Sequence, residues 1–130
     1  MKARTLLIQH LGTNMQIIIK SPKERKRNLE DELQRMIPEI IKLDVEKVIL
    51  FGSLVTGKVH STSDIDLIII KRTNQRFIDR LDEFYKCVRP DIATDMLVYT
   101  PEEFEEMKVN SQFVRTALEN GKVIYERYHS

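Results

Sequence analysis

Residues 64–70, Asp64-Ile65-Asp66-Leu67-Ile68-Ile69-Ile70, limit the fold of this chain more than any other segment. Side chains alternate along a strand, so Ile65, Leu67 and Ile69 take one face while Asp66, Ile68 and Ile70 take the other. Two further strands are predicted. One spans 45–51, a short β-branched run that stops at Gly52-Ser53, and the other spans 92–99. Between them lie helical patterns. Ser21, Pro22 and Glu24 have the spacing of a capping box, and Leu29, Leu33, Met36, Ile37, Ile40 and Ile41 follow at helical intervals, which predicts a helix to about residue 42 with Pro38 as a site for a kink. Residues 74–88 carry Phe77, Leu81, Phe84 and Val88 on one stripe, ended by Arg89-Pro90. Thr100, Pro101 and Glu103 repeat the capping pattern, and 113–118 reads as one more helix closed by Gly121. Alternating strands and helices predict an α+β (mixed α/β) chain, a small mixed β-sheet flanked by helices.

The length of 130 residues suits one domain, 21–130, preceded by an N-terminal extension over 1–20 whose role the sequence does not reveal. Apolar stretches at 6–8 and 17–19, separated by Gly12, Thr13 and Asn14, allow a hairpin or an appended strand there. The net charge of +1 gives no global reason to bind nucleic acid, and no nucleic-acid partner is expected. The basic cluster Lys23, Arg25, Lys26 and Arg27 is interleaved with Glu24 and reads first as a solvated helix face, second as a contact with a partner or a phosphate backbone. One cysteine, Cys87, excludes an internal disulfide and a thiolate zinc cluster, suits a reducing cytoplasm, and is expected to pack among apolar neighbours. No run approaches the length of a membrane span, and no signal peptide is evident, so a cytoplasmic location is expected.

The chemistry concentrates at Asp64 and Asp66. Two residues apart on a strand they converge on one spot, with no Lys or Arg between them, and a hard divalent cation such as Mg²⁺ is the simplest neutralising partner. A lone Asp-x-Asp is more often a solvated strand end. Gly52-Ser53 adds weight, because a strand ending in glycine and a short helical turn can bring backbone N–H groups and a serine hydroxyl close to a phosphate. Asp95 sits inside a predicted strand, where an unpaired carboxylate either faces solvent or joins the other two acids; Asp91, after Pro90, is its alternative. An EF-hand loop lacks its later ligands here, and His10, His60 and His129 read as bystanders, with His60 the one worth testing.

Gly52-Ser53-Leu54-Val55-Thr56-Gly57, then Ser63-Asp64-Ile65-Asp66-Leu67, then Asp95, resemble the minimal nucleotidyltransferases of the DNA polymerase β superfamily over roughly residues 29–125. The resemblance implies transfer of a nucleoside monophosphate from a nucleoside triphosphate, ATP first among them, to a hydroxyl. Carried over by position, Gly52 and Ser53 hold the β- and γ-phosphates, Ser63 orients the loop that presents Asp64, and Asp64 and Asp66 bind metal and triphosphate. Asp95 completes a second Mg²⁺ site and helps activate the acceptor hydroxyl. Many relatives place an arginine after Gly-Ser, where this chain has Leu54, Val55 and Thr56; Lys58 or Lys71 are the local substitutes. Minimal members often accompany a HEPN-type helical protein as its antitoxin, in some cases adenylylating a tyrosine on it, which implies a protein acceptor and leaves assembly with itself or a partner open. The alternative from a different class is a non-catalytic antitoxin that neutralises its partner by contact alone.

Overall fold

In the computed structural model, residues 4–8, 15–19 and 21–128 are described. Strands β1 (Arg4–Ile8) and β2 (Met15–Ile19) pair antiparallel from Arg4 opposite Ile19 to Ile8 opposite Met15, the hairpin that the two apolar stretches allowed. The connection with Gly12, Thr13 and Asn14 lies outside the described residues, as do His10 and His129.

Helix α1 (Pro22–Ile41) starts where the sequence places it, with the Ser21 hydroxyl accepting the Glu24 N–H at 3.2 Å, and it continues through Pro38. Its buried line is Leu29, Glu32, Met36 and Ile40. Strand β3 (Lys47–Phe51) leads through Gly52 into the short helix α2 (Ser53–Thr56), and β4 (Ile65–Ile70) returns antiparallel to β3. Helix α3 (Phe77–Val88) then crosses to β5 (Thr94–Tyr99), which lies parallel to β4. Helices α4 (Pro101–Asn110) and α5 (Gln112–Asn120) follow, and α4 carries the complete capping box between Thr100 and Glu103. The last strand, β6 (Lys122–Glu126), pairs antiparallel with β3. The sheet order is β5-β4-β3-β6, a mixed sheet with helices on both faces, as the alternation predicts. This strand is not among those the sequence predicts.

The two faces of β4 account for the two cores. Ile65, Leu67 and Ile69, fully buried, pack with Leu29, Met36 and Ile40 of α1 and Phe84 and Val88 of α3. Ile68 and Ile70 pack on the other face with Phe104 of α4 and Val114 and Ala117 of α5. Each such side chain contributes about 1.5–3 kcal/mol by leaving water. Asp66 begins this second face, on the sheet's short uncovered end.

Two corrections concern α3. It begins at Phe77, three residues after the expected start, and its buried positions are Arg80, Phe84 and Val88. Cys87, expected to pack, is exposed, because it lies one position off that line. Arg80 is only 4% exposed. Its guanidinium donates to both carboxylate oxygens of Glu103 at 2.6 and 3.2 Å, to the Val98 carbonyl at 3.1 Å and to the Gln75 carbonyl at 2.9 Å. The Arg80 contact holds the Glu103 carboxyl below its ordinary range. Glu103→Ala therefore leaves a buried cation facing only carbonyls, and is expected to destabilise the chain by roughly 3 kcal/mol in urea unfolding. Pairing it with Arg80→Met should recover most of that loss, because both charges then go. No helix among the described residues is long and apolar enough to cross a membrane.

Candidate active site

The site forms where β3, β4 and β5 meet their uncovered end. Phe51, the last residue of β3, pairs with Asp66, and Asp66 pairs with Asp95 on the adjoining parallel strand. Neighbouring strands are roughly 4.8 Å apart, so register alone puts the two carboxylates side by side on one face. Burial pushes the Asp66 carboxyl up to about 6, helped by repulsion from Asp95 and Asp64 and by a hydrogen bond to Asp95 that favours a shared proton. Among the described residues no basic side chain forms an ion pair with either acid.

Gly52 completes this corner. Its backbone is at φ 82°, ψ −157°, a region open essentially to glycine. A Cβ there would come within 2.2 Å of Asp66 Oδ2, so the turn rests directly against the carboxylate. The chain then winds into α2: Val55 and Thr56 N–H return to the Gly52 carbonyl, and Gly57 N–H to that of Ser53. Ser53 is thereby fixed at the first position of α2, directly after the Gly52 turn that touches Asp66.

Asp64 immediately precedes β4, and its side chain is 44% exposed. The loop before it is closed by Ser63, whose hydroxyl accepts the His60 N–H at 2.7 Å and whose own N–H donates to the His60 carbonyl at 3.1 Å. From α1, Arg25 Nε donates to the Ser63 carbonyl at 2.9 Å, and Arg25 Nη2 lies 3.9 Å from Asp64 Oδ1. Among the described residues no set of three acidic, histidine or cysteine side chains is already gathered into a metal cage. Asp66 and Asp95 are together, and Asp64 stands beside them, turned toward Arg25.

The other sequence candidates fall away from this corner. Asp91 donates its N–H to Glu32 and lies 3.8 Å from Arg35, in the network that ties α1 to the end of α3. Lys71, beyond the opposite end of β4, is paired with Glu83 at 3.2 Å, and Lys58 is exposed after Gly57. Lys71, paired there, does not take the place of an arginine after Gly-Ser. Arg25 was read as part of a solvated face, and only its long-range contact reveals it.

A groove of about 580 Å³ opens from the acids past the edge strand β5. Asp66 and Asp95 line it together with Phe51, Leu81, Tyr85, Leu97 and Phe113. Phe113 is 57% exposed and meets Phe51 edge to face at 5.8 Å. Tyr85 caps the edge strand: its hydroxyl donates to the Thr94 carbonyl at 2.6 Å and accepts the Met96 N–H at 3.1 Å. Edge backbone satisfied by a side chain resists pairing with a stray strand, which keeps the groove a side-chain surface.

Comparison with known proteins gives the family and the fold. Residues 34–130 match the family described as Polymerase beta, Nucleotidyltransferase. A relative from Methanocaldococcus jannaschii, named provisionally as a protein adenylyltransferase, is 31% identical over 84 residues, spanning 62% of this chain and 79% of its own. The crystal structure of a provisionally named nucleotidyltransferase from Sulfolobus solfataricus shares the fold, with a TM-score of 0.60 at 20% identity over 83% of this chain and 89% of that one. A chain from a toxin–antitoxin structure with AMP-PNP overlaps more loosely, with a TM-score of 0.45 at 19% identity over 78% of this chain and 73% of that one. With three quarters of its length matching the family and both of its carboxylate strands in place, the chain belongs to the polymerase beta nucleotidyltransferases, and it is a nucleotidyltransferase enzyme.

Proposed function

We propose that the chain moves AMP from ATP, with Mg²⁺, to a hydroxyl on a partner protein, and that the partner is a HEPN-type toxin it controls. One observation carries the reading: Asp66 and Asp95 lie side by side in register, with the Gly52 turn pressed against Asp66. The donor set fits a hard divalent cation, since Asp64, Asp66 and Asp95 offer only oxygens and the Asp66 carboxyl is held high by burial and by the neighbouring Asp95 and Asp64. When bound there, two such ions stabilise both the attacking and the leaving oxygen of a phosphoryl transfer.

The chain's own residues divide the remaining work. Gly52 lets the backbone approach the β- and γ-phosphates, and the Ser53 hydroxyl and amide donate to them. Ser63 holds the loop so that Asp64 faces the same point from the nucleotide side. Asp95, on the edge strand beside the groove, takes up the proton of the acceptor hydroxyl. Gly52-Ser53 follows the last residue of β3, Phe51, which lines the groove together with the two acids and residues of the edge strand β5. In-line displacement wants the leaving and attacking groups on opposite sides of the transferred phosphorus. The groove's apolar walls suit a protein segment with an aromatic or aliphatic side chain better than a sugar, which supports a protein acceptor. The name of the Methanocaldococcus relative points the same way.

The test is incubation of the purified chain with α-labelled ATP and Mg²⁺, with and without the protein encoded beside it. Covalent label on that protein, lost in Asp95→Asn, is the expected result. Tight binding with no label, and suppression of the partner by an Asp64/Asp66 double variant, would establish instead the contact-only antitoxin.

A further inference from the structure

We infer that Arg25, at the start of α1, is the phosphate-binding cation of this active site, reaching it from outside the Gly-Ser and Asp-x-Asp segments. The inference rests on the reading above that the chain binds a nucleoside triphosphate, and it names a residue that reading does not use. Three carboxylates, Asp64, Asp66 and Asp95, meet at one corner, and a triphosphate brings several more negative charges to it. The segment after Ser53 offers Leu54, Val55 and Thr56, none of them cationic. Lys71 is committed to Glu83, and the Lys58 side chain has no ion pair among the described residues.

Among the cations of the described residues, Arg25 is the one built into the corner. Its side chain is 20% exposed and is anchored through Nε to the Ser63 carbonyl at 2.9 Å. Nη2 stops 3.9 Å from Asp64 Oδ1, beyond hydrogen-bond length. A guanidinium carries five N–H donors, and among the described residues only the one on Nε has a hydrogen-bond partner. The remaining donors are therefore held at the mouth of the site by a fixed anchor, where a phosphate oxygen would complete them in a charge-assisted bond. Nor does helix stability explain the residue: a cation in the first turns of a helix opposes the macrodipole, whose positive end lies there. The anchor ties the same side chain to the loop that presents Asp64, so nucleotide affinity and the position of Asp64 are set together.

The variants that test this separate charge from anchoring. Arg25→Gln keeps an N–H for the Ser63 carbonyl and removes the charge; Arg25→Ala removes both. Binding of a non-hydrolysable imido analogue of ATP, and of AMP, is measured by calorimetry with Ca²⁺ present, alongside the melting temperature. Arg25→Gln is expected to weaken the ATP analogue roughly 10- to 100-fold while changing AMP about twofold or less and leaving melting nearly unchanged. Analogue affinity in Arg25→Gln within about twofold of the wild type overturns the inference, as does an equal loss for AMP and the analogue accompanied by a large fall in melting temperature, which would make Arg25 a loop anchor only. A wild-type chain that binds no nucleotide would instead remove the reading beneath it.

Discussion

Asp66→Asn is expected to abolish nucleotide transfer and, in the same molecule, to stabilise the metal-free fold above pH 6. Loss of transfer should be on the order of 10³-fold or more, above the 10- to 100-fold that removing an outer partner of a metal ligand costs. The stability effect follows from the acid's surroundings. The Asp66 carboxyl sits at about 6 in the folded chain, against 3.8 for the free side chain, because burial and the neighbouring Asp95 and Asp64 disfavour its charge. A raised folded value means the folded state holds the proton longer than the unfolded one. Its contribution is therefore fully present below pH 3.8 and is lost as pH rises through about 6. Asparagine carries no charge to repel, so the variant should gain on the wild type across that window and hold the gain at higher pH. Taken whole, the displacement corresponds to about 3 kcal/mol. Asp66 is part-exposed, and solvent screening reduces the expected gain to about 1 kcal/mol. Urea unfolding in EDTA at about pH 4 and about pH 8 reads it directly: no difference at the lower pH and a more stable variant at the higher. Mg²⁺ should reverse the order by stabilising the wild type alone, since a ligand that binds only the folded state adds stability with its concentration. A variant less stable than wild type at both values would mean that the carboxylates do not repel one another as placed.

The division between what could be read and what could not follows from range. Strands β3, β4 and β5 were legible because runs such as Lys47–Phe51 and Ile65–Ile70 are apolar, β-branched and bounded by turn residues, all local signals. The start of α1 and the cap of α4 were legible for the same reason: Ser21 with Glu24, and Thr100 with Glu103, act within one turn. Strand β6 was not. It is an edge strand with charged ends, Lys122 and Glu126, and little burial, and its apolar run is only the three residues Val123-Ile124-Tyr125, too short to stand out from a loop. Helical periodicity likewise assigns every charged residue to solvent, which hid Arg80 in the core and Arg25 at the active site. Both are decided by contacts distant in sequence, Arg80 with Val98 and Glu103 and Arg25 with Ser63. At the site, the sequence could place each acid on a strand. Asp95, inside its predicted strand, was preferred to Asp91 after Pro90, and the parallel register of β4 with β5 sets Asp95 opposite Asp66.

Gly52→Ala should be the most damaging single-methyl change in the chain, for two reasons that experiment can separate. The backbone at φ 82°, ψ −157° is closed to a residue with a Cβ, at a cost of about 1–3 kcal/mol. The added methyl also meets Asp66 Oδ2 at 2.2 Å, Cγ at 3.0 Å and Cβ at 3.3 Å, so either Asp66 rotates away from Asp95 or the turn withdraws with Ser53. Each movement breaks the arrangement that transfer needs, and activity should fall as far as in Asp66→Asn. Gly57→Ala is the control. It too has a positive φ, 80°, but nothing lies within 4 Å of its added Cβ, so it should lose only the backbone term, roughly 1–2 kcal/mol, and retain most transfer. The contact with Asp66 is isolated by a double-mutant cycle: in an Asp66→Ala background, where no carboxylate stands in the way, Gly52→Ala should lose no more than the backbone term. Strict additivity of the two changes would show that the glycine serves the turn alone. A marked excess loss in the Asp66 background of the wild type would show that Gly52 is required because the acid and the turn occupy the same corner.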